Sequence, residues 1–399
     1  MQERTYQSQP DLLLDAQGED LGDLRTEEIL INMGPQHPST HGVLRLVLRM
    51  DGELVLEAVP HIGYLHRCAE KIGESLAPYQ FIPITDRLDY LAAMNNNHAF
   101  SMAVEQLCGI EVPERGRYLR VIMSELNRIA SHLVSFGSYA LDLGAFTPFL
   151  YGFREREYIL DLFESACGAR LTYSYVTIGG PSLDLPEGFL ENLRQFLDYF
   201  EPKIDEYNEL LSYNHIFVRR TAGVGVISAE DAIAWALTGP CLRGSGVRWD
   251  LRKCMPYDIY DRFDFEIPVG VAGGSDGVPR AVVVGDSWCR YFVRIAEMKQ
   301  SVRILRQCLE QIPDGPFRAK VPRVLKLPPK EVYFEAENPR GQLGFLVAGD
   351  GSPVPRRVKI RGPSFCNLSI ASHVCRNVLV ADVAAIIGSI DVVMGEVDR

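Results

Sequence analysis

Four of the chain's eight histidines lie in one stretch, "NMGPQHPSTHGVLRLVLRMDGELVLEAVPHIGYLHR". Two of them, His37 and His41, are four residues apart among prolines and glycines. On a helix this spacing would place both imidazoles on one face, as in zinc sites, but Pro38 disfavours a helix there. The residues alone therefore leave three alternatives open: metal ligands, a proton relay, or side chains that bond the backbone of a rigid turn. Spacing by itself favours the turn.

A second polar group occurs in "ITDRLDYLAAMNNNHAF", where Tyr90 stands at the point at which a loop enters a predicted helix. A tyrosine in this position is usually a core residue whose hydroxyl has a hydrogen-bond partner. The glycines of "TAGVGVIS" and "TGPCLRGSG" match neither of the common phosphate-binding loop patterns, so we interpret them as turns.

The cysteines do not form the closely spaced sets that metal centres use. There are nine of them and none belongs to a C-x-x-C pair. This pattern argues against a zinc ribbon or a self-contained iron-sulfur site. It fits reduced thiols in a reducing compartment.

Composition and charge narrow the class of protein further. The chain has 399 residues, 47% of them hydrophobic and 23% charged, which is typical of a soluble globular protein of two or three lobes. Its formal net charge of -11 argues against nucleic acid as a partner. We find no uncharged apolar run of membrane-spanning length and no secretory signal. The chain is predicted to be cytoplasmic, with any membrane association made through partners.

Hydrophobic periodicity predicts an α+β fold that is mainly helical, with a central helical bundle and small peripheral β-sheets. Residues 1–28 are polar and are predicted to be an extended segment. Residues 29–64 form a β-hairpin region, because two alternating segments flank Asp51-Gly52, a strong hairpin signal. Residues 65–240 are predicted to form the bundle, and residues 241–399 an α/β region.

Several motifs resemble, in order, those of the D subunit of the NADH-quinone oxidoreductases, the respiratory complex I family. They are "NMGPQHPSTHGVLRL", "PHIGYLHR", "DRLDYLAAM", "SELNRIASHL", "LDLGAFTPF", "FREREYILDLFE" and the terminal "MGEVDR". The resemblance covers most of the chain from about residue 28. It implies the fold of the nickel-iron hydrogenase large subunit, from which this family descends. A nickel-iron centre needs two C-x-x-C pairs, so the resemblance implies that scaffold without its metals and with a quinone in the emptied cavity.

The resemblance also implies which residues act. It identifies His41 and Tyr90 as the pair that binds the quinone headgroup, and Asp142 of "LDLG" as the acidic partner of His41. The implied catalytic residues are thus Tyr90, His41 and Asp142, and no metal is bound. On this basis a proton relay becomes the better interpretation of His41. His37, His61 and His66 are expected to shape the fold.

The cofactors and partners implied by the resemblance lie on other chains. Quinone is the substrate, while a 4Fe-4S cluster and the NADH site belong to partner subunits of a proton-translocating enzyme that is active only as the complex. The expected partners are the subunit with the terminal cluster, the C subunit and a membrane-arm subunit that forms the quinone channel. The expected location is the cytoplasmic side of the inner membrane, as a peripheral subunit. The alternative is a non-catalytic scaffold subunit of a related hydrogenase-like or ferredoxin-driven redox complex.

The residue types fit quinone chemistry. A quinone headgroup has two carbonyl oxygens and no donors, so its site needs O-H and N-H groups, which tyrosine and imidazolium supply. An adjacent carboxylate favours the charged form of an imidazole. We therefore expect Asp142 to raise the pKa of His41, so that His41 carries a proton before reduction.

The sequence departs from the family pattern at two places. Cys68, followed by Ala69, stands where the family commonly has glycine after "LHR". The chain also lacks a helical segment that many bacterial relatives carry before Glu331. We expect the fold to survive both changes, with altered contacts to partners at the second.

We predict that the isolated chain is redox-silent, because it has no clustered cysteine ligands. Metal analysis and electron paramagnetic resonance of the purified subunit check this. Stoichiometric nickel or an iron-sulfur signal would contradict it.

Overall fold

Long helices packed beside small antiparallel sheets make up the computed structural model, which describes residues 28–274 and 277–399. The expected α+β class, mainly helical with small peripheral sheets, is confirmed. The predicted extended segment 1–28 lies, except for Glu28, outside the described residues.

The elements are numbered along the chain. The helices are α1 (Ala69–Gly73), α2 (Pro78–Asp86), α3 (Ala93–Cys108), α4 (Glu114–Asp142), α5 (Phe146–Cys167), α6 (Phe189–Tyr207), α7 (His215–Thr221), α8 (Ala229–Ala234), α9 (Gly239–Gly244), α10 (Leu251–Cys254), α11 (Ser287–Gln311), α12 (Pro363–Leu368), α13 (Ala371–Val374), α14 (Val380–Ile390) and α15 (Met394–Asp398). The strands are β1 (Glu28–Met33), β2 (Arg45–Asp51), β3 (Leu54–His61), β4 (Val176–Thr177), β5 (Gly180–Pro181), β6 (Glu331–Asn338), β7 (Gly341–Ala348), β8 (Arg357–Arg361) and β9 (Val378–Leu379). Short 3-10 helices span Pro38–Thr40 and Tyr260–Arg262, and a π-helical turn spans Asn208–Ser212.

The helices α3, α5 and α11 pack against α4, which is 29 residues long and buried over most of its length, and α6 packs against α5 and α11. Two glycines let α4 and α5 approach closely. A Cβ at Gly137 would lie 3.0 Å from the Phe149 Cα, and one at Gly152 would lie 3.0 Å from the Leu133 carbonyl oxygen. This close contact fixes the position of Asp142, the last residue of α4.

The N-terminal sheet has the order β1-β2-β3-β9 and is antiparallel throughout. Leu46, Leu48 and Met50 of β2 are buried while the residues between them are partly exposed, as the alternation predicts. The predicted hairpin is present, but Asp51 remains in β2 and pairs with Leu54. The turn is therefore Gly52-Glu53, where Gly52 takes the left-handed conformation that glycine adopts readily (φ +57°).

Another sheet, of order β6-β7-β8, follows the segment from 312 to 330, which contains no helix or strand. A two-residue turn, Pro339-Arg340, joins β6 to β7. The sheet packs against α3, where Phe345 contacts Phe100 edge to face with ring centroids 5.4 Å apart. This turn brings Arg340 into the interior.

Two apolar clusters fill the described part of the chain. The larger lies within the helical bundle and against the β6-β7-β8 sheet. The smaller joins the N-terminal sheet to α9, α13 and α14, so the two ends of the chain share one core. The predicted boundaries at 64 and 240 stay predictions. No helix among the described residues is both long enough and apolar enough to span a membrane.

The alternation in β2 predicts unequal effects of two truncations. Leu48→Ala, in the buried row, should lower the free energy of unfolding by about 2–5 kcal/mol because it leaves a cavity. Val47→Ala, on the partly exposed face, should cost much less. Denaturant titration of the full chain measures both. Equal losses would contradict the face assignment.

Candidate functional site

His41 directly follows the 3-10 helix Pro38–Thr40 and has a left-handed backbone (φ 49°, ψ 39°). Two hydrogen bonds within the turn stabilise it. The Ser39 N-H donates to Nδ1 of His37 at 3.2 Å, and the Thr40 hydroxyl donates to the His37 carbonyl at 2.7 Å. His37 therefore bonds the backbone of a turn, and this turn places His41.

Asp142 meets His41 across the interface between this turn and the end of α4. The distance between His41 Nε2 and Asp142 Oδ2 is 3.4 Å, and both side chains are largely buried. Neither atom has a hydrogen-bond partner among the described residues. Gly388 of α14 packs over the carboxylate, since a Cβ there would lie 3.2 Å from Asp142 Oδ2 and 2.6 Å from the Tyr139 ring.

A buried arginine, Arg340, lies beside this pair. Its guanidinium donates to Asp89 Oδ2 at 2.8 Å, to the Ser131 hydroxyl at 2.9 Å and to Asp391 Oδ1 at 3.2 Å. Arg294 lies on the other side of Asp391, with Nε 3.6 Å from Oδ2. Two guanidinium groups and two carboxylates thus form a compact cluster of balanced charge.

Tyr90 follows Asp89 in the loop before α3 and is partly buried. Burial raises the pKa of its hydroxyl above 10, with the charges of Arg340 and Asp89 as the next largest influences. The charges of Arg340 and Asp391 act on both Tyr90 and His41. The same charge cluster therefore acts on Tyr90 and His41, and Asp142 contacts His41, although the three residues are far apart in sequence.

The expected direction of the His41 pKa is wrong. Burial lowers the pKa of His41 below 6.5, and the charges of Arg340 and Arg294 lower it further, while that of Asp391 raises it. Asp142 is not among these influences, and burial raises the pKa of its own carboxyl to about 7. A carboxyl that carries its proton has no charge with which to stabilise imidazolium. At neutral pH the neutral form of the imidazole is favoured, and Asp142 retains its proton to a far higher pH than an exposed carboxyl does.

The C-terminal motif closes this region. The Asp398 carboxylate accepts from the backbone N-H groups of Gly63 and Leu65 at 2.8 and 2.7 Å, and Nδ1 of His66 lies 2.6 Å from the Asp398 carbonyl oxygen. His66 therefore bonds backbone, as expected, while His61 ends β3 and is exposed. These bonds connect "PHIGYLHR" to "MGEVDR".

Cys68, the first departure from the family pattern, is exposed and has a left-handed backbone (φ +57°). Glycine adopts this conformation without strain, so the glycine that the resemblance implies at this position would fit the same backbone. Within residues 28–274 and 277–399, no group of three or more His, Cys, Asp or Glu side chains is placed to hold a metal ion.

The site also contains charged residues that were not predicted from the sequence. These are Asp89, Arg294, Arg340, Asp391 and Glu396, all of them buried. One signal was available, because Asp391 interrupts the apolar run "VAAIIGSIDVVMG", where a charge must be paired. Burial and the charge of Asp89 raise the pKa of Glu396 to about 8.

Comparisons with known proteins agree with one another. The family described as "Respiratory-chain NADH dehydrogenase, 49 Kd subunit" matches residues 142–326 and 320–399. The D subunit of NADH-quinone oxidoreductase from Geobacillus kaustophilus is 53% identical over 94% of the chain and 99% of its own length. The D subunits of the same enzyme from Bacillus cereus and Desulforamulus reducens are 50% and 52% identical, each over 94% of the chain and at least 99% of their own length.

The raised pKa of Asp142 predicts a pH-dependent effect of Asp142→Asn. Unfolded Asp142 loses its proton near pH 4, while the folded chain keeps it to about pH 7. The folded state thus binds more protons in this window, and the contribution of Asp142 to stability falls as pH rises. The melting temperature of Asp142→Asn minus that of the parent should therefore increase from about pH 4 to about pH 7.

Calorimetry of the full chain across this range measures the difference. Asp161→Asn, at an exposed position, is the control and should give a nearly constant difference. A constant difference for Asp142→Asn as well would mean that Asp142 is ionised throughout.

Proposed function

The chain belongs to the family of the 49 kDa subunit of respiratory-chain NADH dehydrogenases, and from this premise we propose that His41, Tyr90 and Asp142 bind and protonate the quinone headgroup. The chain is a subunit of an NADH-quinone oxidoreductase, an enzyme that works as a complex. Assigning the quinone site to these residues goes further than the family membership, and the observations on the three residues support it.

The observation that carries the proposal is the contact between two unpartnered polar atoms, His41 Nε2 and Asp142 Oδ2, beside a buried charge cluster that also acts on Tyr90. Buried polar groups in a native protein usually have partners, so unpartnered ones require an explanation. A site that transfers protons supplies it, because its groups must remain free to change partners. Two donors, His41 and Tyr90, also match the two carbonyl oxygens of a quinone.

Asp142 is the proton store in this proposal, and His41 is the relay. With the Asp142 pKa at about 7, the carboxyl is half protonated near neutral pH. When the quinone oxygen becomes basic on reduction, Nδ1-H of His41 gives its proton to that oxygen, and Nε2 accepts the proton of Asp142. The imidazole ends neutral and the carboxylate ends charged. No imidazolium needs to exist beforehand, which agrees with the lowered pKa of His41.

Tyr90 is the second donor. Burial holds the pKa of its hydroxyl above 10, so it is neutral in the resting site. It gives up its proton only to an oxygen that is strongly basic. Proton transfer from Tyr90 therefore follows electron arrival.

The electrons come from outside this chain. In the proposal, a 4Fe-4S cluster on the neighbouring subunit supplies them, and the NADH site lies on another subunit. The proposed neighbours also include the C subunit and the membrane-arm subunit that forms the quinone channel. The chain would lie at the cytoplasmic side of the inner membrane, held there by these neighbours.

Tyr90→Phe should leave the complex assembled and its clusters reducible, while quinone turnover falls about a hundredfold or more. Only a hydroxyl is lost, and the ring keeps its packing. If the hydroxyl served stability alone, its loss would cost about 1 kcal/mol without loss of rate. Steady-state assays with quinones of differing tail length measure the effect.

Tyr158→Phe is the matched control, since Tyr158 is exposed on α5 and should keep the parental rate. Parental turnover of Tyr90→Phe at a saturating concentration of a short-tailed quinone would contradict the donor role. It would favour the alternative of a scaffold subunit that does not act on quinone.

A further inference from the structure

Strand β6 is an edge of its sheet, and half of that edge is open. The Gly349 N-H donates to the Lys330 carbonyl, so the even-numbered residues of β6 direct their N-H and C=O groups toward β7. The odd-numbered residues direct theirs away. At the inner end, the Glu337 N-H donates to the Tyr257 hydroxyl and the Glu337 carbonyl accepts from Arg128. For Glu331, Tyr333 and Glu335, no described group pairs with these backbone atoms.

A cavity of about 700 Å³ adjoins this edge. Its walls come from α3, the start of α4, the segment after α10 and β6 itself. Four apolar side chains line the cavity, namely Met102, Ile110, Met255 and Phe334. Arg120 also lines the cavity. It is buried, its two Nη atoms bond Glu105 and the Thr177 carbonyl, and its Nε has no partner.

Some of the charged side chains around the cavity form ion pairs, and others do not. The Arg120 charge is matched by Glu105, and that of Arg117 by Asp258 at 3.8 Å. Glu331 and Glu335 form no ion pair with any described residue. The outward positions of the open edge therefore carry two carboxylates, with one lysine, Lys330, at the outer end of the strand.

We propose that this open half-strand and its cavity dock an extended segment of another subunit of the complex, which adds to the sheet as a fourth strand. Its backbone pairs with Glu331, Tyr333 and Glu335, basic side chains face the two glutamates, and one apolar side chain enters the cavity. A side-chain or backbone oxygen accepts from Nε of Arg120. The surface lies apart from His41 and Tyr90, so this inference goes beyond the proposed quinone site.

An extended polypeptide is the occupant that the edge specifies. Six backbone donors and acceptors repeat at intervals of two residues, about 6.5–7 Å, and only another strand matches that repeat. Strand addition takes affinity from such backbone bonds and specificity from pockets for alternate side chains. The cavity beside the edge is a pocket of this kind. The chain functions within a multisubunit enzyme, which supplies partner chains.

Two substitutions of Tyr333 distinguish the contribution of its backbone N-H from that of its side chain. Tyr333→Pro removes an outward N-H that β7 does not use, at an edge position where proline is tolerated. Tyr333→Thr removes the same ring and keeps the N-H. Each variant is co-expressed with the parent chain, and the ratio of variant to parent in the purified complex is compared with the ratio in the total pool. Tyr333→Pro should be depleted about tenfold, and Tyr333→Thr at most about twofold.

Equal incorporation of both variants, or equal depletion of both, would overturn strand addition. Thermal unfolding of each full chain checks folding. A second measurement does not depend on the proline variant: p-benzoylphenylalanine in place of Tyr333 is photo-crosslinked in the intact complex, and the product is mapped by mass spectrometry. We expect a crosslink to a segment of one other subunit. A crosslink to a second copy of this chain, to its own residues 1–27, or to nothing would overturn the proposal.

Discussion

The buried guanidinium of Arg340 is the constraint on which the site depends. Moving a charge out of water costs several kcal/mol even after relaxation, so it must be paired. Asp89 and Asp391 supply the counter-charges, and the Ser131 hydroxyl accepts a further bond. These partners belong to the loop before Tyr90, to the end of α14 and to α4. Arg340 itself lies in the β6-β7 turn, so one side chain fixes four segments relative to one another.

The balance of this cluster explains the protonation of its neighbours. Burial alone would raise the pKa of Asp391, but Arg340 and Arg294 hold it below its usual range, so Asp391 stays charged. At His41 the charge of Asp391 opposes those of Arg340 and Arg294, so the three partly cancel. Burial becomes the deciding influence, and it favours the neutral form of both His41 and Asp142. Both groups are therefore mostly uncharged before the quinone is reduced.

The core of the bundle is unusually ionic beyond this cluster. Glu125 accepts from Arg252, Tyr260 and Ser301, and Arg243 binds Glu297 and Glu337. Buried pairs of this kind add little net stability, but removing one partner typically costs about 3–5 kcal/mol. Glu337 is the point where this network binds β6. The network therefore covers the inner end of that strand and leaves the outer end open.

The sequence by itself determined the features that depend on neighbouring residues. Alternation and a glycine turn were enough to predict the β2-β3 hairpin, because strand faces and tight turns follow from local backbone geometry. The helical periodicity of α4 and the lack of C-x-x-C pairs could also be recognised from the sequence alone. The family motifs selected His41, Tyr90 and Asp142, and the structure places His41 beside Asp142.

Only the tertiary structure decided the electrostatics. Arg340 and Asp89 are 251 residues apart, and no local pattern relates them. The sequence predicted a raised pKa for His41 from one neighbouring carboxylate, but burial of the imidazole lowers it. The open half of β6 could not be predicted from the sequence either, since it depends on the hydrogen bonds that Tyr257 and Arg128 make to the backbone of Glu337. A pKa depends on the summed desolvation and charge of all groups around a site, and those groups come together only when the chain is folded.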